Sequence, residues 1–413
     1  MKDSSGEVLD DMAIEYTIAS DEVNGIQWLK AVDSLTCGTS GAEYRIMAGS
    51  SVEAISPTNI RIIRQTSYGS MEAKVQQLGN GVIFAQRGGT RVRIFEYGYT
   101  EDQYTAQDLT IMSEHIFAGR IKELDLQTVQ DPYIWFVLKN GDFVGLTYEK
   151  AQKINAWHRH SLGGNGKAKS LAIIPGDDSD EVWLAVERTV NGQTKVYIEV
   201  FIDAFSEVDS PDQGYFLDSH LSYEGDEAIS RVGGLEHLEG YEVSVCIDGW
   251  VHPNVTVTDG YIDLQSAGYK IVVGLQYESY FESVPVQSSD QIIMGNLKRI
   301  YGASISVLQS LGMTVGVIGA PDQSIYMGPT VGLVNYVDSD VLDQMIEGDS
   351  RVVSQTVYMG PTPIMNKATP LFTGTLSVKA PASTDNEMQL FIKHDMPLPC
   401  EIRAIKYELE VNQ

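Results

Sequence analysis

The sequence predicts an all-β protein: β-propeller blades, followed by a small β-sandwich or barrel module and a C-terminal β platform. Three observations predict it. Helical periodicity is scarce along the 413 residues. Most segments are short, rich in Val, Ile, Thr and Tyr, and closed by turn pairs. Asn80-Gly81, Asn140-Gly141, Asn191-Gly192, Asp248-Gly249 and Asp259-Gly260 are such pairs, and they tolerate the positive φ of tight hairpins. The third observation is a repeat. Units of three strands centre on Cys37, Phe84, Phe136 and Leu184, at steps of about 47, 52 and 48 residues. A period near 50 with several strands per unit marks propeller blades. The alternative is a run of unrelated hairpins in a sandwich.

Taken in order, the first unit reads "IQWLKAV-DS-LTCGT-SG-AEYRIM" and the second "AKVQQL-GNG-VIFAQ-RGG-TRVRIFEY". The third reads "IKELDLQTV-QDP-YIWFVL-KNG-DFVGLTYE", and the fourth "AKSLAIIPG-DDSDE-VWLAV-ERTVNGQ-TKVYIEVF". Each blade hides a face against its neighbour, so the middle strand is apolar and its flanks more amphipathic. A fourth, outer strand should follow each triple, as "TNIRIIRQTS" follows the first and "QKINAWHRHS" the third. "LGGNGK" is then the crossing to the next blade and "PGDDSDE" a solvated hairpin turn. Residues 1–205 are the propeller blades on this reading.

Beyond Phe205 the texture changes. "SEVDSPDQG" is polar and linker-like, and residues 206–290 hold the small β module, compact from Leu235 to about Pro285. Residues 291–413 form the C-terminal platform. They repeat five residues: Tyr326 to Thr330 and Tyr358 to Thr362 both read YMGPT, with Gly-Pro marking a turn.

The formal charge is -27, from 29 basic and 56 acidic residues. Such a charge opposes tight binding to nucleic acid or anionic lipid, and it suits a surface past which DNA moves without sticking. Three distant cysteines, Cys37, Cys246 and Cys400, give no disulfide framework or zinc module and fit a reducing compartment. The start, MKDSSGEVLDD, lacks the apolar core of a secretory signal, and no run approaches the roughly 20 apolar residues of a membrane helix.

The residues that suggest chemistry concentrate between Ile154 and Val186. His158 and His160 share a strand face and could hold a metal, but no third ligand stands at a recognisable spacing. Solvent-facing strand positions are the reading preferred. Trp157 and Arg159 face the other way, where Arg can stack on indole. Gly163 to Lys167 fails as a phosphate loop, because Ser161 replaces its first glycine and Ala168 the hydroxyl that would bind magnesium. Asp177, Asp178, Asp180 and Glu181 resemble a calcium loop in composition alone. "CGTSG" lacks the second spacer of a nucleophile elbow, since Ala42 follows Gly41. Sialidase-type Ser-x-Asp-x-Gly-x-x-Trp turns are absent. With so many acids, some carboxylate pair can always be found. No catalytic, cofactor-binding or metal residue is therefore assigned, and no enzyme is expected.

Read together, "DDMAIEYTIASDEVNGIQWL", "GTSGAEYRI", "RQTSYGS", "FAQRGGTRVRIFEY", "LTYEKAQKINAWHRHSLGG", "SLAIIPGDDSDEVWLAVERTVNGQTKVYIEVF" and "LEHLEGYEVSVCIDGWVHPNVTV" resemble the tail nozzle proteins of short-tailed bacteriophages. These are also called tail tubular protein B or packaged-DNA stabilisation proteins. The match is dense from about Asp10 to Val257, with "TPLFTGTL" and "PLPCEIRAI" suiting the family's C-terminal end. The resemblance implies a virion tail component made in the host cytoplasm: a homohexameric ring that extends the DNA ejection channel and helps retain packaged DNA. Its implied partners are further copies of itself, the tail adaptor or head-to-tail connector proteins, tail fibres, and genomic DNA passing through the lumen without tight binding. Any DNA contact is expected at a local basic ring, such as one near Lys298 and Arg299. Family members carry a substantial region ahead of "DDMAIEYTIAS", so a second polypeptide supplying it is a further expectation. The rival readings are a receptor-binding or glycan-cleaving tail protein on a propeller, and a cytoplasmic scaffold.

Overall fold

The computed structural model describes residues 8–10, 12–18, 24–50, 53–99, 102–129, 132–177, 179–202, 211–285, 297–318, 352–357, 371–379 and 388–411. The chain is all-β. It divides into two compact units, Met1–His160 with Gly166–Arg188 and Val196–Ile202, and Ser161–Asn165 with Thr189–Lys195 and Asp203–Gln413.

The first unit is a succession of propeller blades, each an antiparallel sheet whose spatial order is its chain order. Blade one holds β1 (Ile26–Ala31), β2 (Leu35–Thr39), β3 (Glu43–Met47) and β4 (Arg61–Thr66). Blade two holds β5 (Gln76–Leu78), β6 (Gly81–Ala85), β7 (Val92–Gly98) and β8 (Gln103–Asp108). Blade three holds β9 (Ile121–Gln127), β10 (Tyr133–Leu138), β11 (Phe143–Glu149) and β12 (Ile154–His160). In blade four the described strands are β13 (Lys167–Pro175), β14 (Asp180–Val190) and β15 (Gln193–Phe201).

The periodic reading holds at every unit. Cys37, Phe84, Phe136 and Leu184 lie on β2, β6, β10 and β14, each the second strand of its blade. The two stretches expected as outer strands are β4 and β12. The first hairpin of blade two turns one residue earlier than expected, at Gly79 with φ +58, because Gly81 already belongs to β6. A Cβ at Gly81 would lie 2.7 Å from the Ile94 side chain.

Alternation makes each blade two-faced, since successive strand side chains point to opposite sides. Trp28 of blade one meets Phe84 of blade two, with ring centroids 5.6 Å apart. Ile83, Ile94 and Leu109 from blade two and its exit share one core with Leu124, Ile134, Phe136, Val144 and Leu146 of blade three. Fully burying an aliphatic or aromatic side chain contributes roughly 1.5–3 kcal/mol, so this core is a main support of the unit.

In the second unit, β16 (Asp218–Gly233), β17 (Glu242–Ile247), β18 (Trp250–Thr256) and β19 (Tyr261–Leu275) form one sheet in the order β16-β19-β17-β18. Register shifts in the long β16–β19 pair bend it over a core of Val232, Leu235, Val243, Val245, Ile262 and Ile271. The sheet begins upstream of Leu235 because the acidic β16, half-buried or exposed along most of its length, pairs with β19. The remaining strands are β20 (Ser279–Glu282), β21 (Lys298–Ser310), β22 (Met313–Ile318), β23 (Val352–Val357), β24 (Phe372–Lys379), β25 (Gln389–His394) and β26 (Glu401–Val411). They make the sheets β20-β25-β22-β23 and β24-β21-β26, which share a core including Ile300, Ile305, Met313, Val315, Leu390 and Ile392. Both YMGPT copies lie outside the described residues.

Candidate functional site

The His158–His160 stretch brings two imidazoles into contact on one strand face of the first unit. The register of β11 with β12 sets Gly145 opposite His158 and Phe143 opposite His160. Gly145 is necessary there: a Cβ would lie 2.0 Å from the His158 ring. The two imidazoles touch, with His158 Nδ1 2.7 Å from His160 Nε2, and Thr147 Oγ1 is 3.4 Å from His158 Nε2. Trp135 stacks on Phe143 at 4.9 Å and meets the ring of His160 at 5.1 Å, while Phe201 of β15 meets His160 at 5.8 Å. Gln127 Oε1 accepts the Trp135 indole N–H at 2.9 Å.

This corrects the solvent-facing expectation. Both histidines are half-buried against aromatic rings. Burial pushes the His158 imidazole below its ordinary 6.5; burial, and then the neighbouring His158, push His160 down to about 4. Among the described residues no three His, Cys, Asp or Glu side chains gather where a metal ion could sit. Trp157 turns to the other face as expected, but its neighbours are Phe117 and Phe136, at 4.9 and 5.3 Å, and its indole N–H donates to the Leu109 carbonyl. Arg159 is exposed, and the cation–π contacts among the described residues are those of Arg45, Arg93 and Arg231.

The other candidate motifs are structural in their local geometry. Gly163 N–H donates to the Asp218 carboxylate at 2.7 Å, so an anion already occupies the donor a phosphate would need. A Cβ at Gly163 would lie 2.8 Å from Leu275, which accounts for that glycine by close approach. The turn after Pro175 exposes Asp177 and Glu181, and Asp178 lies outside the described residues. Asp180 is different. It is buried, and it accepts the N–H groups of Thr128 and Val129 and the Thr128 hydroxyl, at 2.7, 3.0 and 2.9 Å. Those donors hold its carboxyl below the ordinary 3.8. It is a tie between blades three and four, where the sequence suggested a solvated turn.

"CGTSG" forms the β2–β3 hairpin. Thr39 Oγ1 accepts the Ala42 N–H at 3.0 Å, and Ser40 donates to Asn24. The three cysteines are free thiols, and burial pushes Cys37 up to about 11, Cys246 to about 12 and Cys400 to about 11. Such thiols are protonated at neutral pH and poor nucleophiles. Lys298 is fully buried, which corrects its place in an expected DNA-facing basic ring; Arg299 beside it is half-buried.

Sequence reasoning missed the carboxylates that join successive blades. Asp125 on β9 pairs with Lys74 at 2.6 Å, accepts from Gln76 before β6, and accepts the Ile173 N–H of β13 at 3.3 Å. Glu123, also on β9, accepts from Ser170 and from the Leu171 N–H. One strand thus ties blades two and four to blade three. The available signal was an acid set between two leucines inside a strand, Leu124-Asp125-Leu126. Buried acids in strands need partners of this kind.

No family model and no curated protein matches the chain. Among solved structures it is similar to exo-beta-1,3-galactanase from Phanerochaete chrysosporium, in two variants bound to beta-1,3-galactotriose. One match has 10% identity over 91% of this chain and 78% of that chain, with a TM-score of 0.21. The other has 8% identity over 93% and 82%, with a TM-score of 0.26. Likenesses this weak carry no argument about activity. Among the described residues no helix is long and apolar enough to cross a membrane.

Proposed function

We propose that the chain is a structural subunit of a phage virion, a tail nozzle protein that assembles as a hexameric ring and extends the DNA ejection channel. The observation that carries this reading is the ordered set of segments resembling that family, dense from about Asp10 to Val257. Its longest member, from Ser170 to Phe201, runs through three consecutive strands of one blade. The formal charge of -27 supports it independently: a lumen lined with carboxylates repels duplex DNA from every wall. The chain acts by shape and charge on this reading, without catalysis, and its partners are its own copies, the adaptor above it and the tail fibres.

Reconstruction of intact particles by electron microscopy, with native mass spectrometry of the purified chain, tests the proposal. Six copies below the portal are expected. A stable monomer inside particles, or absence from them, overturns it. Filter binding tests the channel separately: free duplex DNA should not bind tightly near physiological salt, where sub-micromolar sequence-independent affinity would remove the repulsive lumen. Glycan hydrolysis by the pure protein would select the rival enzymatic reading.

A further inference from the structure

A hydrogen bond between two imidazoles needs one nitrogen with a proton and one without. At 2.7 Å, His158 Nδ1 and His160 Nε2 meet that condition only while at least one of the rings is neutral. The chain of contacts works in either direction. If His158 donates from Nδ1, its Nε2 can accept from Thr147; if His160 donates, His158 Nε2–H can donate to Thr147. With both rings protonated, two N–H groups point at each other, and the contact cannot survive.

The surroundings offer little to a second cation. On the face shared with the pair, β10 presents Tyr133 and Trp135, β11 presents Phe143, Gly145 and Thr147, and β15 presents Phe201. The charged side chains of these strands are otherwise committed or remote. Glu149 ends β11 and accepts the Ala151 N–H, Arg159 is exposed, and Glu199 of β15 pairs with Arg188, leaving Lys195 near the start of that strand. On β9, Glu123 holds Ser170 and Asp125 holds Lys74. On β14, Asp180 holds Thr128, Glu187 pairs with Lys169 and Glu181 accepts from Trp183. Trp135 can attract one cation through its ring face. It cannot restore the lost acceptor.

We propose that the His158–His160 contact is an acid-sensitive latch, holding β12 and Phe201 together over Trp135 while one ring is neutral and releasing them when both are protonated. The device does not depend on the nozzle reading, because it rests on the imidazole contact alone. Burial acts in the same direction, since it holds both rings below their ordinary 6.5. The unfolded chain therefore binds protons that the closed junction refuses. Stability at this junction is complete above about 6.5 and falls as pH drops toward about 4. In that window each pH unit can raise the open-to-closed ratio up to about tenfold per ring.

Hydrogen exchange measured segment by segment between pH 7 and pH 4, corrected for intrinsic exchange, tests the latch on the full chain. Protection of β12 and the end of β15 should fall with acid more steeply than that of β6 and β7. In His158→Gln and His160→Phe that excess fall should shrink by about tenfold or more at the acid end. An identical acid profile in wild type and both variants overturns the proposal. So does a histidine-labelled NMR titration of the wild-type chain in which both rings titrate near their ordinary 6.5 with the contact intact, a readout that stands even if a variant fails to fold.

Discussion

Strand β10 supplies two junctions of the first unit, and they are built from different chemistry. Its Ile134, Phe136 and Leu138 point into the apolar core shared with blade two. Its Tyr133 and Trp135 point the other way, to His158, His160 and Phe201. Around that second junction stand Glu123 and Asp180, bonded across blades three and four, and Asp125, which accepts from Ile173 there and also pairs with Lys74 ahead of blade two. An apolar junction gains from burial at any pH at which the chain folds. A junction made of imidazoles and carboxylates is strong only while each group keeps the protonation state its partner requires. One strand therefore separates an apolar core from a face whose contacts depend on protonation.

The largest break in this comparison is Phe136→Ala. The side chain is fully buried and lies 5.9 Å from Phe117 and 5.3 Å from Trp157, ring to ring. Truncation should cost about 3–5 kcal/mol by urea denaturation, with the same loss at pH 7 and pH 5. A loss that grew in acid would show that the two junctions are not energetically distinct.

Asp180→Asn comes next. The amide keeps the shape but offers a single acceptor oxygen and no charge to the donors of Thr128 and Val129, so about 1–3 kcal/mol should be lost at pH 7. Because these donors depress the carboxyl, its contribution is present above its ordinary 3.8 and is lost as pH falls through the lower folded value. Wild type and variant should then converge in acid. Parallel denaturation curves down to pH 2 would remove Asp180 as a charged tie.

The two junctions also differ in how far they could be read from sequence. The apolar one was legible because its signal is local: "YIWFVL" and "VIFAQ" are strands by composition, and their spacing named the blades. The polar one was not. A period of two placed His158 and His160 on one face, but whether that face meets water depends on Phe201, which lies more than forty residues downstream. Asp180 looked like a turn residue among other acids, and only the fold brings Thr128 to it. Lys298 failed for the same reason, since burial of a lysine at a strand start has no local signature. Alternation assigns faces; it does not say what covers them.

Ile198→Thr is the smallest expected effect, and it asks what a blade residue contributes where it stays largely exposed. On β15, Phe201 reaches His160 of blade three, and Glu199, two residues earlier, lies on the same face. Val196, Ile198 and Val200 alternate to the opposite face, and Ile198 is 68% exposed. Thr keeps the β-branched shape that suits a strand, and little apolar surface is removed from a protein interior. The change should stay within about 0.5 kcal/mol of wild type in urea denaturation of the dilute chain. Far below the loss expected for Phe136→Ala, that result would show that a blade residue acquires its energy from the neighbouring sheet and not from the strand it sits in. A loss above about 1.5 kcal/mol would mean that this face is covered in solution, and the contrast between covered and open blade faces would have to be redrawn.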